Sequence, residues 1–570
     1  MKRRNFLTLS ALGVSGITSG TLSGFATAPT NKPAGRAGSS EMRADLVIAG
    51  GGVGGCAAAL AALRNGLSVI MTEETDWIGG QLTSQGVPPD EHRWIESHGS
   101  PQSYRDYRNN VRLYYKRNYP VTPKAREEVF LNPGNAVVSA LCHEPRVSLA
   151  VLNEMLAPYV SSGKLMLLIE TKIRSAEYAG SKVGALKAVS LKTGEEYILT
   201  APYFSDATEM GDLLPLTGTE FVTGTESRNE TRELHAPDNA DPDNHQAFTM
   251  CFAMDYRPGT NNIGEKPVDY DFWKNMVPEM TPPWPGKLLD LSYSNPKTLE
   301  KKPLGFDPNG TPTNPYLNLW NYRRILAKEN FTPGAYFGDI STVNWPQNDY
   351  TLGNLVGVKE KEFAHHVVRA KQLSLSLFHW LQTEAPRQDG KQGWPGLRLR
   401  KDIMGTDDGL AKYPYIREAR RIKAHFTVLE EHVGKANRVL VAGAVAGEKA
   451  ANFHDSVGVG YYHIDLHPSS RMQNYIDFDS LPFQIPLGAL LPKRMENILP
   501  VCKNIGTTHI TNGCYRLHPV EWSIGEAVGL LVVYALKNRL IPYQVREGRD
   551  NLANFQEFIR TQGVETQWKS

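Results

Sequence analysis

The pattern of apolar and polar positions changes character twice within thirty residues near the start of the chain. Asp45-Leu46-Val47-Ile48-Ala49 is a short aliphatic run of the kind that forms a buried parallel strand. Cys56-Ala57-Ala58-Ala59-Leu60-Ala61-Ala62-Leu63-Arg64 is an alanine-rich helix former, and Leu67-Ser68-Val69-Ile70-Met71 is a second aliphatic strand. The pattern predicts strand, helix and strand in that order. Farther along, residues 359–380 predict an amphipathic helix, and residues 416–433 form an arginine-rich stretch that reads as strand or helix. Residues 221–350, rich in Pro, Asn, Trp and Tyr, read as strands joined by long loops.

Between the first strand and the helix lies Gly50-Gly51-Gly52-Val53-Gly54-Gly55. Gly50 permits a tight turn, Gly52 lets the backbone approach a diphosphate, and Gly55 lets helix and strand pack closely. The free N–H groups from Val53 and Gly54 onward meet the anion with a partial positive charge. Glu73 follows the second strand, about twenty residues after the glycines, where a carboxylate accepts hydrogen bonds from the ribose hydroxyls of an adenosine. Together these features describe a dinucleotide cradle.

Composition narrows the class. With 570 residues and 41% apolar composition the chain can bury a large core, either as about four domain-sized units or as one enzyme of two interleaved domains. The net charge of +2 supplies no field to draw in nucleic acid or an anionic membrane. The five cysteines are scattered, with no CxxC pair and no clustered metal-ligand spacing, so neither a disulfide framework nor a metal is expected. Past the first thirty residues no run has the eighteen or so apolar residues of a spanning helix, so an integral membrane protein is not expected. Those first thirty read as an export signal: Lys2, Arg3 and Arg4 precede a weakly apolar stretch ending near Ala26-Thr27-Ala28, with residues 31–40 as linker. Arg3-Arg4-Asn5-Phe6-Leu7 resembles a bacterial twin-arginine signal, which implies a periplasmic or secreted protein exported already folded.

Two further segments favour FAD over NAD. Trp77-Ile78-Gly79-Gly80-Gln81-Leu82-Thr83 follows the ribose acid where a loop can run under the diphosphate, its glycines allowing close approach. Near the other end, Thr508-His509 is followed by Arg516-Leu517-His518-Pro519 and by Gly525-Glu526-Ala527-Val528-Gly529. This set of motifs resembles the FAD-dependent oxidoreductases of glutathione-reductase-like fold, some of which carry the label "xanthan lyase". The resemblance implies that a helix beginning at Gly525, Glu526 and Ala527 points free amides at the flavin pyrimidine, where reduced flavin is negative. Tyr203-Phe204-Ser205-Asp206-Ala207-Thr208-Glu209-Met210-Gly211-Asp212 resembles the segment where such chains leave the FAD domain, with Asp206 and Asp212 beside the cofactor. Glu209 stands where many flavoproteins have glycine.

The expected fold class is α/β: a discontinuous Rossmann-type FAD domain with an inserted α+β substrate domain. The FAD domain takes residues 43–90, 150–220 and 435–540, the substrate side 91–149 and 221–434, and residues 541–570 a C-terminal tail. No second GxGxxG seats a nicotinamide, so electrons are expected from a small-molecule substrate with a polar C–OH or C–N bond, sugar-like polyols included. His509 is the expected base, His518 the second choice, and Arg516 a holder of the flavin N1/O2 edge or of a substrate anion. Residues 88–94, 141–146 and 344–350 are polar and aromatic enough to line a substrate cleft, and residues 453–458 and 463–467, which precede the C-terminal FAD segment, are expected to face the flavin ring. Oxygen, a quinone or a cytochrome would take the electrons. The competing readings are a flavin enzyme without net redox (isomerase, hydratase or lyase) and an electron-transfer subunit.

Overall fold

The computed structural model describes residues 40–569, so the expected export signal lies outside the described residues. Five parallel strands make the sheet that carries the glycine turn. They are β1 (Leu46–Ala49), β2 (Val69–Thr72), β3 (Leu165–Leu168), β4 (Tyr203–Asp206) and β5 (Ile498–Pro500), in the spatial order β5-β4-β1-β2-β3. Leu46 of the central strand pairs with Val69 on one side and Tyr203 on the other. All four residues of β1 are buried, which is why the strand reads as an unbroken aliphatic run. The chain therefore returns to this sheet near its end, when β5 joins the edge beside β4.

Three helices set the site around this sheet: α1 (Val53–Arg64), α2 (His509–Tyr515) and α3 (His518–Asn538). The glycines and alanines of α1 let α3 cross it almost backbone to backbone. A Cβ on Gly525 would lie 2.0 Å from the Gly54 carbonyl oxygen, and one on Gly529 would lie 2.5 Å from that of Ala58. Helix α3 is apolar and long enough to cross a membrane by composition, yet nearly all of it is buried inside the protein.

The second region has its own core. Strands Arg324–Leu326, Ile340–Val343, Phe252–Tyr256 and Leu397–Leu399 form an antiparallel sheet in that order. Helix Glu360–Thr383 buries Leu373, Leu377 and Leu381 against Trp273, Trp320 and Trp345. The tryptophans of residues 221–350 thus serve chiefly as packing. Residues 416–433 are neither a long strand nor a long helix: Arg421–Ile422 pairs briefly with Phe221–Val222, and a helix follows at Glu430–Val433. The arginines of that stretch face inward, which removes the surface periodicity on which a sequence reading depends. Nor are residues 541–570 a loose tail. Helices Pro542–Glu547 and Arg549–Thr561 dock through Leu552, Phe555 and Ile559, an apolar stripe at helical spacing.

Candidate functional site

The glycine turn opens on a cleft lined by Glu73, Thr208, Glu209, Asp212 and Tyr413 among others. Gly50 adopts φ +91°, and a Cβ there would lie 2.5 Å from the Ala207 carbonyl, so no other residue fits. Gly52 precedes the first turn of α1 and offers no side-chain cap, so the N-terminus of this helix is left without a side-chain partner. Glu73 sits over the turn: its carboxylate accepts from Gly51 N (2.9 Å) and from Thr75 N (2.9 Å) and Oγ1 (2.8 Å). Burial raises its pKa to about 7, although these hydrogen bonds oppose the shift. Gly79 donates to the Gly51 carbonyl at 2.7 Å, so the Gly79–Gly80 turn lies directly on the first glycine turn.

Glu209 sits at the junction of the two turns. Its Oε1 is 3.1 Å from where a Gly52 Cβ would be and 2.5 Å from where a Gly80 Cβ would be. Its Oε2 accepts from Lys503 Nζ at 2.7 Å, and the same ammonium reaches Glu521 Oε1 at 3.2 Å. Lys503 is wholly buried between two carboxylates, a pairing that no local motif announces. Asp212 lines the cleft and accepts from Arg420 Nη1 at 2.9 Å. Asp206 is fully buried and bonded to Thr208 N and Oγ1 and to Leu213 N, so it shapes the turn beneath the cleft and does not line it.

The expected helix start at Gly525, Glu526 and Ala527 is corrected by the structure. Helix α3 begins at His518 with Pro519 in its first turn, so residues 525–527 lie well inside it and their amides are bonded within the helix. Gly525 instead makes the close approach to Gly54, and Glu526 pairs with Arg64 and Ser103. The helix terminus nearest the turn belongs to His518. Gln81 Nε2 donates to the Arg516 carbonyl at 3.0 Å beside it. Gln81 Oε1, both amide atoms of Gln85, His518 Nε2 and Glu521 Oε2 are buried without a partner. Such orphans are costly in a finished core, and with the glycine cradle they suit a group with polar edges such as FAD.

His518 lies at the start of α3 beside Asp90. Its Nδ1 accepts from the Asp90 amide at 3.2 Å, so in the neutral ring the proton is on Nε2. Burial lowers its pKa to about 4, and at neutral pH it is a hydrogen-bond donor, not a base.

Three arginine–aspartate pairs gather near Tyr415: Arg323–Asp90 at 2.9 Å, Arg417–Asp349 at 3.0 Å and Arg516–Asp465 at 3.1 Å. Arg516 also donates to the Tyr415 hydroxyl at 2.9 Å, and the Arg417 guanidinium lies 4.7 Å above the Tyr415 ring. His467 bridges two of the aspartates, 2.6 Å from Asp349 and 3.5 Å from Asp465. Gln246 joins this group to a second one, its Oε1 accepting from His467 N and its N donating to Glu418 Oε2. Glu418 Oε1 then faces His509 Nδ1 at 2.8 Å and Arg421 Nη1 at 2.7 Å. Burial would raise the Glu418 carboxyl, but His509 and Arg421 outweigh it and hold its pKa at about 2.

Residues 88–94, 344–350 and 463–467 meet in this network through Asp90, Asp349, Asp465 and His467. Residues 141–146 do not: His143 bonds to Ser148 and Glu144 to Tyr115, both as packing. Arg323, Arg417, Arg421, Glu418 and Lys503 were not foreseen, because a single sequence does not show which distant residues they meet. Arg516 was expected, but as a holder of the flavin or a substrate anion, and here it pairs with Asp465. Among the described residues no group of three or more His, Cys, Asp or Glu is placed to hold a metal ion, and all five cysteines are buried.

The model of a family described as FAD dependent oxidoreductase matches residues 45–559. No curated protein sequence matches the chain. Among solved structures, OxyS anhydrotetracycline hydroxylase from Streptomyces rimosus aligns at 10% identity over 91% of this chain and 66% of its own, with a TM-score of 0.32. The glycerol-3-phosphate dehydrogenase from Bacillus halodurans complexed with FAD aligns at 15% over 37% and 40%, with a TM-score of 0.23. The Sdh1 complex of Mycobacterium smegmatis aligns at 14% over 30% and 34%, with a TM-score of 0.21, so the match spans about a third of that protein. Superpositions this loose carry no argument about the chain.

Proposed function

The chain belongs to the family of FAD dependent oxidoreductases, and from that premise we propose that it is an exported dehydrogenase or oxidase removing a hydride from a small polar C–OH or C–N substrate, sugar-like polyols included. Its cofactor is FAD, which when bound supplies the acceptor for that hydride. The cofactor domain is read as the discontinuous, glutathione-reductase-like body of residues 43–90, 150–220 and 435–540. In it the Gly50–Gly55 turn and the first amides of α1 hold the diphosphate, and Glu73 the ribose.

The observation that carries the mechanism is the His509–Glu418 pair. Because Glu418 stays ionised, it accepts the Nδ1 proton of His509 and leaves the Nε2 lone pair to take the proton from a substrate hydroxyl or amine. The Glu418 carboxylate then stabilises the imidazolium so formed. His518, neutral in its buried setting, supplies a donor from Nε2 to the polar edge of whatever lies against α3. Arg516 is tied to Asp465 and Tyr415, so its part is to orient those groups. Export is supported by the twin-arginine run at Arg3-Arg4.

The test is direct. The purified protein should show a flavin spectrum that an alcohol, sugar or amine bleaches without oxygen. His509→Ala should keep the bound flavin and lose at least about a hundredfold in the reduction rate. Normal reduction by that variant would remove His509 from its role, and a protein that binds no flavin would remove the whole reading.

A further inference from the structure

Residues 435–449 form a small hairpin: helix Lys435–Ala442, a turn at Gly443 with φ +82°, and a short 3-10 turn Ala446–Glu448. From Val439 to Gly447 the sequence is Val-Leu-Val-Ala-Gly-Ala-Val-Ala-Gly, with no polar side chain. These apolar side chains point outward. Leu440 is 70% exposed, Val441 56% and Val445 86%, and Val439, Ala444 and Ala446 are exposed beside them. Isolated exposed aliphatics are ordinary on a protein surface, but a contiguous aliphatic tip marks a surface made to be covered.

The chemistry of the hairpin's base says by what. Within the hairpin Lys435, Arg438 and Lys449 stand against one acid, Glu448, and the acid packed against its root, Asp479, is paired with Lys297. Arg438 Nε donates to the Lys449 carbonyl at 3.2 Å, which ties the two legs together and keeps the tip presented. A stable protein interface needs about 20–30 residues a side, more than this tip can offer to a second copy or to a partner. An aliphatic wedge with cations behind it instead matches an anionic bilayer, whose acyl boundary takes the apolar tip while its phosphates meet the cations. We propose that the hairpin 435–449 docks the enzyme on an anionic membrane surface by sinking Val439, Leu440, Val441 and Val445 into the acyl boundary.

The experiment uses the full FAD-loaded chain. Because all five native cysteines are buried, Val445→Cys can carry the only environment-sensitive dye on an exposed thiol. Vesicles of phosphatidylcholine with phosphatidylglycerol should shift the dye emission to the blue, and pure phosphatidylcholine vesicles should shift it less. In sedimentation with the mixed vesicles, Leu440→Ser/Val441→Ser/Val445→Ser should bind at least about tenfold more weakly than the unaltered chain while keeping its flavin spectrum. Comparing chains with the same N-terminus cancels any lipid binding by the first forty residues. An unshifted dye, or equal sedimentation of the two chains, overturns the proposal. So does a dimer by light scattering that the triple variant splits, which would give the tip to a second copy.

Discussion

The crossing of α1 with α3 and the arginine–aspartate network beside it are both buried, and they are built in opposite ways. At the crossing, the fold depends on side chains being absent: Gly54 meets Gly525 and Ala58 meets Gly529 backbone to backbone. In the network it depends on large charged side chains finding one another, as Arg421 does with Glu226 and Glu418. The first arrangement leaves nothing to adjust, because a clash with a backbone carbonyl cannot be relieved by a rotamer change. The second has many adjustable parts, but each charge is tolerable only while its partner is present.

The largest effect should therefore come from adding atoms at the crossing. A Cβ on Gly54 would lie 1.6 Å from the Val501 carbonyl oxygen, inside any contact distance. Gly54→Val should exceed the usual overpacking range of about 1–3 kcal/mol and go beyond any single loss of a charge partner, because the obstruction is backbone, and should yield no folded, FAD-binding protein. Thermal melting and the flavin content of the purified chain check this. No single change on α3 should restore it, since the obstruction is the backbone of Val501, just past β5.

This difference also governs what could be read from the sequence. The α1 side of the crossing belongs to a local pattern, in which aliphatic strand, glycine turn, alanine helix and Glu73 fall within thirty residues, so α1 was legible from its composition and the helix at 360–383 from its periodicity. The late glycines were legible as a motif but misplaced as a helix start, because the Pro519 signal nearly two turns earlier outweighs them. The network was not legible as a network. Arg417 meets Asp349 and Arg516 meets Asp465 across long stretches of chain, and a single sequence carries no period that links them. What the sequence did give were the polar, aromatic segments holding Asp90, Asp349 and Asp465, without their partners. Lys503 had no signal at all: it lies in a short linking segment and is buried only because Glu209 and Glu521 neutralise it.

Removing one partner from the network should rank second. Arg421 is completely buried between Glu418 and Glu226, so Arg421→Met strands two carboxylates and should cost about 3–5 kcal/mol in urea unfolding. Here, in contrast to the crossing, rescue is expected. Adding Glu418→Gln and Glu226→Gln to that variant should recover a large part of the loss, since the cost lies in the stranded charges. If the triple variant is no more stable than the single one, packing and not pairing holds this region, and the contrast between the two regions fails.

The smallest effect, and the one that separates the regions most cleanly, is their opposite response to pH. Beside the glycine turn, burial raises Glu73 to about 7, whereas in the network His509 and Arg421 hold Glu418 at about 2. Between pH 4.5 and 7 the folded protein keeps a proton on Glu73 that the unfolded chain has lost, so this group makes stability fall as pH rises through that window. For Glu418 the unfolded chain takes up the proton first, so its contribution is present above pH 4.5 and is lost as pH falls toward 2. In FAD-free protein, Glu73→Gln should flatten the upper window and Glu418→Gln the lower one. Each change is at most about 1.4 kcal/mol per pH unit relative to the unaltered chain. Denaturant unfolding at a series of pH values reads both slopes, and because each variant is compared with its parent, the buried histidines that titrate in the same range cancel. A Glu73→Gln difference confined to the acid window would mean that the turn is already charge-compensated without its cofactor, and the two regions would then be held by the same physics.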